Sequence, residues 1–156
     1  ISIEDSLKAI KTFPGVKRRT EYLGSVLGVK VYDDYGHHPT EIKATINALK
    51  KHTIGKLFVI FQPHRYTRTK NNFQEFKEVL RLPDLSIVVD IYPAGEVIIP
   101  GVSSKNFEDS NIKYLKSMRM VPNFLSNRIN KNDTILTIGA GDITLLGPEI
   151  LNYFDE

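Results

Sequence analysis

The residues best equipped for chemistry fall into four short strings. The first is Asp33-Asp34-Tyr35-Gly36-His37-His38, which runs into Pro39. A carboxylate placed just ahead of a helix can accept hydrogen bonds from a ligand's hydroxyls or amine, or it can simply cap the turn. His37 and His38 invite a metal reading together with His64, but the spacing matches no defined metal motif, so no metal site is assigned. Ligand hydrogen bonding remains, with helix capping as the other reading for His38. The second string, Gln62-Pro63-His64-Arg65-Tyr66-Thr67-Arg68-Thr69, sets two guanidinium groups three residues apart. Such a pair suits bidentate contact with a carboxylate or phosphate, unless it faces Glu75 or Glu78 on a surface. The third runs from Asp90 to Glu96 and contains Tyr92. The fourth is Gly139-Ala140-Gly141-Asp142, where small residues let a ligand approach the backbone. Neither a phosphate-loop lysine nor a full dinucleotide fingerprint accompanies it.

These strings need elements to position them. A helix is expected over residues 2–13, with Ile3, Leu7 and Ile10 on one face and Pro14-Gly15 ending it. Residues 17–32 read as two short strands in a hairpin around Gly24 to Gly28. Pro39 is suited to the first position of a helix with Ile42, Ile46 and Leu49 on its apolar stripe. Glu41 at its start and Lys50, Lys51 and His52 at its end complement the macrodipole. Leu57 to Phe61 is a continuous apolar run, as in a strand buried on both faces. A helix near 70–81 burying Phe73, Phe76 and Leu80 follows, then a strand over 85–89. A helix capped by Ser103 or Ser104, a short helix near 122–130, a strand over 134–138 and a final helix complete the pattern. Gly147-Pro148 should kink or restart that last helix. Strands alternating with helices imply a parallel α/β sheet. All four polar strings directly follow a strand, so in a parallel sheet they meet along one edge, where such folds bind ligands.

Length and composition bound the alternatives. The 156 residues suit one domain, with 41% hydrophobic and 25% charged residues, as in an ordinary globular protein. No cysteine is present, which excludes disulfides and cysteine zinc sites and agrees with a cytoplasmic location. No apolar run reaches the roughly 20 residues of a membrane span, so no membrane partner is expected. The first residues read as an amphipathic helix rather than a signal peptide, and a start at Ile1 points to a piece of a longer protein. The net charge of +3, from 21 basic and 18 acidic residues, is too small to argue for nucleic acid. The clusters Lys17-Arg18-Arg19 and His64, Arg65, Arg68 and Lys70 fit a local anion pocket better.

In their order, Asp33 to Glu41, Phe61 to Thr69, Tyr92 to Glu96 and Gly139 to Asp142 closely resemble strings of the last domain of a Mur ligase, across about residues 12 to 154. The resemblance implies a Rossmann-like, three-layer α/β domain with a mostly parallel sheet, the third domain of an ATP-dependent, amide-forming ligase of peptidoglycan synthesis. The string from Phe61 to Thr69 points to the member joining L-alanine to UDP-N-acetylmuramate through an acyl phosphate. The alternatives are a sibling that reattaches recycled tripeptide, and a non-catalytic nucleotide-binding module. The implied partners are ATP, UDP-N-acetylmuramate, L-alanine and upstream domains of the same chain, which would bind the UDP-sugar, the phosphates and Mg2+. Position by position, Arg19 resembles an arginine at the domain junction that serves the nucleotide. Asp34 resembles the aspartate that contacts the ATP ribose. Tyr35, His37, Arg65 and Arg68 resemble residues at the amino-acid and muramoyl end, with His64 beside them and Tyr92 and Glu96 as further candidates. Arg19, His37, Arg65 and Arg68 form the implied catalytic set. Thr20 departs from the pattern, standing where an aromatic residue is common. The 156 residues alone are expected to be inactive.

Overall fold

The computed structural model describes residues 2–6 and 16–155. Of the helix expected over 2–13, residues 3–6 are helical and the rest lies outside the described residues. Strands β1 (Glu21–Val26) and β2 (Val29–Asp34) form an antiparallel hairpin. Val26 pairs with Val29, so the turn is two residues, Leu27 and Gly28, with φ of 52° and 75°. Left-handed φ at both positions matches the turn to the strand twist. The expected span from Gly24 to Gly28 is therefore too wide. Gly24 instead sits inside β1, where the register slips at a bulge.

Helix α1 (Pro39–His52) begins as the proline requires. His38 is the N-cap, accepting the Thr40 N–H, and Glu41 reaches back to complete a capping box. Ile42, Ile46 and Leu49 are buried. Strand β3 (Leu57–Phe61) is buried throughout. The helix expected over 70–81 begins earlier and breaks once: α2 (Tyr66–Asn71) and α3 (Phe73–Leu80) meet at Asn72. Phe76 and Leu80 are buried as expected, whereas Phe73 is only partly so, stacked on Phe107 at 4.6 Å.

Strand β4 (Leu85–Val88) follows. The helix expected after Ser103 is a single 3-10 turn, Ser104–Phe107, with Ser103 as its cap. The short strand β5 (Ile112–Tyr114) was not foreseen. Helix α4 (Val121–Leu125) is shorter than the expected 122–130. After β6 (Thr134–Ile138), a 3-10 turn at Asp142–Leu145 gives way to α5 (Leu146–Asp155), so Gly147-Pro148 falls in a restarted first turn.

The sheet has the order β1-β2-β6-β3-β4-β5, parallel except for β1. Alternation within β3 divides the core in two. Leu57, Val59 and Phe61 pack with α1 and α3, while Phe58 and Ile60 pack with α4 and α5. Each fully buried side chain of this kind stabilises by about 1.5–3 kcal/mol. The result is a three-layer α/β fold. No helix among the described residues is long and apolar enough to cross a membrane.

Candidate active site

Because β2, β6, β3 and β4 are adjacent and parallel, the four polar loops leave the sheet side by side. Backbone bonds stitch them together. Gly139 N–H donates to the Asp34 carbonyl at 3.1 Å, and Gln62 N–H to the Ile138 carbonyl at 3.1 Å. Arg65 N–H donates to the Tyr92 carbonyl, and Tyr92 N–H to the Pro63 carbonyl, both at 2.8 Å. Gln62 adds a side-chain tie, donating to Asp142 Oδ1 at 2.7 Å and accepting Ile143 N–H at 3.2 Å. Gly141 closes the group: a Cβ there would collide with Gln62 Oε1 and lie 2.7 Å from Tyr92 Cγ. Glycine is needed here for close approach within the protein.

The two aspartates at the end of β2 are not helix caps, since His38 has that place. Asp33 is 1% exposed and accepts from Arg18 Nε at 3.2 Å, Thr137 Oγ1 at 2.7 Å and Thr144 Oγ1 at 2.8 Å. It is a buried hub. Asp34 Oδ2 accepts from Thr20 N–H at 2.7 Å and from the Thr20 and Thr45 hydroxyls. Among the described residues its Oδ1 accepts only Gly36 N–H, at 2.7 Å. Thr20 is thus fastened to Asp34 by polar contacts. Arg18 also donates to the Gly139 carbonyl at 2.6 Å and stacks over Tyr35 at 4.8 Å. Arg19 is exposed and lines, with Asp34, Tyr35, Gly36 and Thr45, a cleft of about 340 Å³.

On the other side of Tyr35 lies a cationic face. Tyr35 meets His37 edge to face at 5.4 Å, His37 and His64 are 6.3 Å apart, and His64 stacks on Tyr92 at 5.5 Å. Arg65 is exposed and adopts φ 73° immediately before α2, a conformation costing on the order of 1–3 kcal/mol and concentrated at functional sites. Arg68 Nη1 lies 3.5 Å from His64 Nδ1. Burial holds His64 below the usual histidine range, and the positive charges of Arg68 and Arg65 add to the effect. Among the described residues neither arginine pairs with Glu75 or Glu78.

Glu96, at the end of the third string, lies beside the start of α2. Its carboxylate accepts Thr67 Oγ1 at 2.6 Å and Thr67 N–H at 3.0 Å, which holds it below the ordinary carboxylate range. It fixes the start of α2 beside Arg65. Glu41 is likewise held low, first by His37 N–H, which donates to it at 3.0 Å. Among the described residues no group of three or more His, Asp or Glu side chains is placed to hold a metal ion. Gln62, Arg18 and Thr20, which organise the loops, carried no sign of that role in the sequence, because their partners lie up to 121 positions away.

A three-layer fold on a mostly parallel sheet, with histidines and arginines gathered at the carboxyl edge of its strands, defines the class as an α/β domain. Residues 18–141 match the Mur ligase, glutamate ligase domain, and the chain belongs to that family. The chain is 39% identical, over its full length, to UDP-N-acetylmuramate–L-alanine ligase of Desulforamulus reducens, and 41% identical over 98% of its length to that of Geotalea daltonii. It spans about a third of the length of these relatives, 35% of each. The UDP-N-acetylmuramate–alanine ligase of Thermotoga maritima superposes with a TM-score of 0.77 at 25% identity, covering 99% of this chain and 34% of that one. A murein peptide ligase of Psychrobacter arcticus shares the fold, with a TM-score of 0.74 at 20% identity over 99% of this chain and 33% of its own.

Proposed function

We propose that this chain is the third domain of a cytoplasmic ligase that joins L-alanine to UDP-N-acetylmuramate at the expense of ATP, in peptidoglycan synthesis. The observation that carries the reading is identity of about 40% to L-alanine ligases along the whole chain. The likeness to the murein peptide ligase extends to the fold alone.

ATP, with Mg2+, supplies the phosphoryl group that activates the muramoyl carboxylate. The chain's own part is positioning and charge stabilisation. The cleft beside α1 suits a nucleoside. Asp34 Oδ1 accepts the Gly36 N–H and keeps a further lone pair that a ribose hydroxyl could use. Arg19 offers an exposed guanidinium to a phosphate oxygen. On the cationic face, Arg65 and Arg68 would hold the carboxylate of L-alanine and the charge developing on the acyl phosphate. His37 and His64 line the space between, with Tyr35 and Tyr92 as aromatic walls. Glu96 serves by fixing α2. The sugar, the phosphates and the metal would fall to upstream domains.

Phosphate release from ATP by the complete ligase with UDP-N-acetylmuramate tests this reading, offering L-alanine or the tripeptide separately. Release that depends on L-alanine is expected. Release only with tripeptide would make the chain part of a recycling ligase, and release with neither would overturn the ligase reading. Arg65→Ala in the complete enzyme should lower turnover or raise the requirement for L-alanine. The 156 residues by themselves should release nothing.

A further inference from the structure

His37 and His64 face the same space, 6.3 Å apart, and the partner on each Nδ1 gives the two rings opposite chemistry. His37 Nδ1 lies 3.2 Å from the Tyr35 carbonyl oxygen and 3.7 Å from Glu41 Oε2. Both can only accept, so Nδ1 carries the proton and the neutral ring keeps its lone pair at Nε2. His64 Nδ1 is 3.5 Å from Arg68 Nη1, and a guanidinium can only donate. The neutral His64 ring therefore carries its proton at Nε2.

We propose that His37 Nε2 is the base that takes a proton from the ammonium group of the incoming amino acid, and that His64 is a fixed N–H donor that cannot do so. The proposal rests on the ligase reading above and assigns roles within it. The freed amine attacks the acyl carbon, forming the C–N bond as the C–O bond to phosphate breaks. The electron pair leaves with the phosphate, which takes the second nitrogen proton, while the first passes from His37 to water. The surroundings suit this division. Glu41 on α1 orients His37, accepting its backbone N–H at 3.0 Å and lying 3.7 Å from Nδ1, as a carboxylate does behind a catalytic histidine. Burial first, then Arg68, Arg65 and His37, disfavour charge on His64, against which Glu96 acts only weakly. Tyr35, with Arg18 stacked over it, separates His37 from the nucleotide cleft.

Two measurements decide it. Long-range proton–nitrogen correlation spectra of this chain, labelled at histidine, should show Nδ1–H at His37 and Nε2–H at His64 above the pH at which they protonate. The reverse assignment at His37 would overturn the proposal on the wild-type protein, whatever any variant does. In the complete ligase, His37→Asn keeps a donor at the Nδ1 position and removes the base. Amide formation should fall on the order of 100-fold, while exchange of the β,γ-bridge oxygen of ATP, which reports acyl phosphate formation, persists. The acid limb of the kcat profile should vanish with it. His64→Gln, which keeps a donor at the Nε2 position, should raise the KM for L-alanine and leave that limb in place. Equal loss of exchange and amide formation in His37→Asn would make His37 a binding residue only. Failure of the ligase reading would look different, as wild-type enzyme without L-alanine-dependent phosphate release, and would take this proposal with it.

Discussion

The Gln62 side chain spans the gap between β3 and the turn after β6, donating to Asp142 Oδ1 at 2.7 Å and accepting Ile143 N–H at 3.2 Å. Gln62 is 6% exposed and its bond to the Ile143 amide is buried, so water cannot freely replace that bond. Gln62→Leu preserves volume but strands the Ile143 amide, and should cost about 1–3 kcal/mol. The check is urea unfolding, with a lower midpoint at unchanged slope. A midpoint within error of wild type would show that the turn is held by its backbone alone.

Asp33 supports more. It balances the Arg18 guanidinium and takes two threonine hydroxyls while 1% exposed. Asp33→Ala removes a shared acceptor, leaving Arg18 only the Gly139 carbonyl and Thr137 the longer Tyr32 carbonyl contact, and about 3 kcal/mol should be lost. At this chain length that lowers Tm by about 6–12 °C. Asp33→Asn, which keeps one acceptor, should fall between. A thermal scan in which the two variants are equal would mean that charge contributes nothing there.

The hairpin turn offers the opposite sign. Leu27 has φ 52° and is exposed, so its side chain gains little while its backbone sits in a left-handed conformation. Asparagine tolerates that conformation better, and Asn-Gly is the preferred pair for this turn. Leu27→Asn should stabilise by about 0.5–1 kcal/mol, measured as a rise in Tm of about 1–4 °C. A fall would show that Leu27 makes a contact worth more than the strain.

Tyr114 donates to Asp90 Oδ1 at 2.6 Å, and that hydrogen bond, followed by burial and the nearby charge, pushes its pKa up to about 12. The folded pKa lies above the unfolded value of about 10. Its stabilising contribution is therefore complete below pH about 10 and is lost as pH rises toward about 12. Phenolate absorbance should show one of the seven tyrosines ionising late, and Asp90→Asn should return it toward the others. A late tyrosine that persists in Asp90→Asn would place the cause elsewhere.

Much of this was legible from the chain. Leu57 to Phe61 and Thr134 to Ile138 announced themselves as uninterrupted apolar runs, and Pro39 marked the start of α1 to the residue. The meeting of the four polar loops followed from the alternation of strands with helices, which implies a parallel sheet. What escaped depended on partners distant in sequence. Helix α2 starts four residues early because Glu96, 29 positions on from Thr67, caps it. Strand β5 has three residues, of which only Ile112 is buried, too short for any period to show. Asp33 resembled a cap because Thr137 and Thr144 are over 100 positions away. The same distance concealed Gln62, whose type signals nothing until Asp142 is beside it.

The fastening at Arg18 has a mechanical consequence. Arg18 accepts Tyr35 N–H on its carbonyl at 2.7 Å, grips Asp33 and the Gly139 carbonyl with its guanidinium, and Thr20 follows locked to Asp34. The polypeptide thus enters the sheet at the ligand edge, riveted to the loops that shape the cleft. A pull on the chain ahead of Arg18 would therefore bear directly on Tyr35, Asp34 and Gly139, through the bonds that join them. The lever arm ends where substrate would lie.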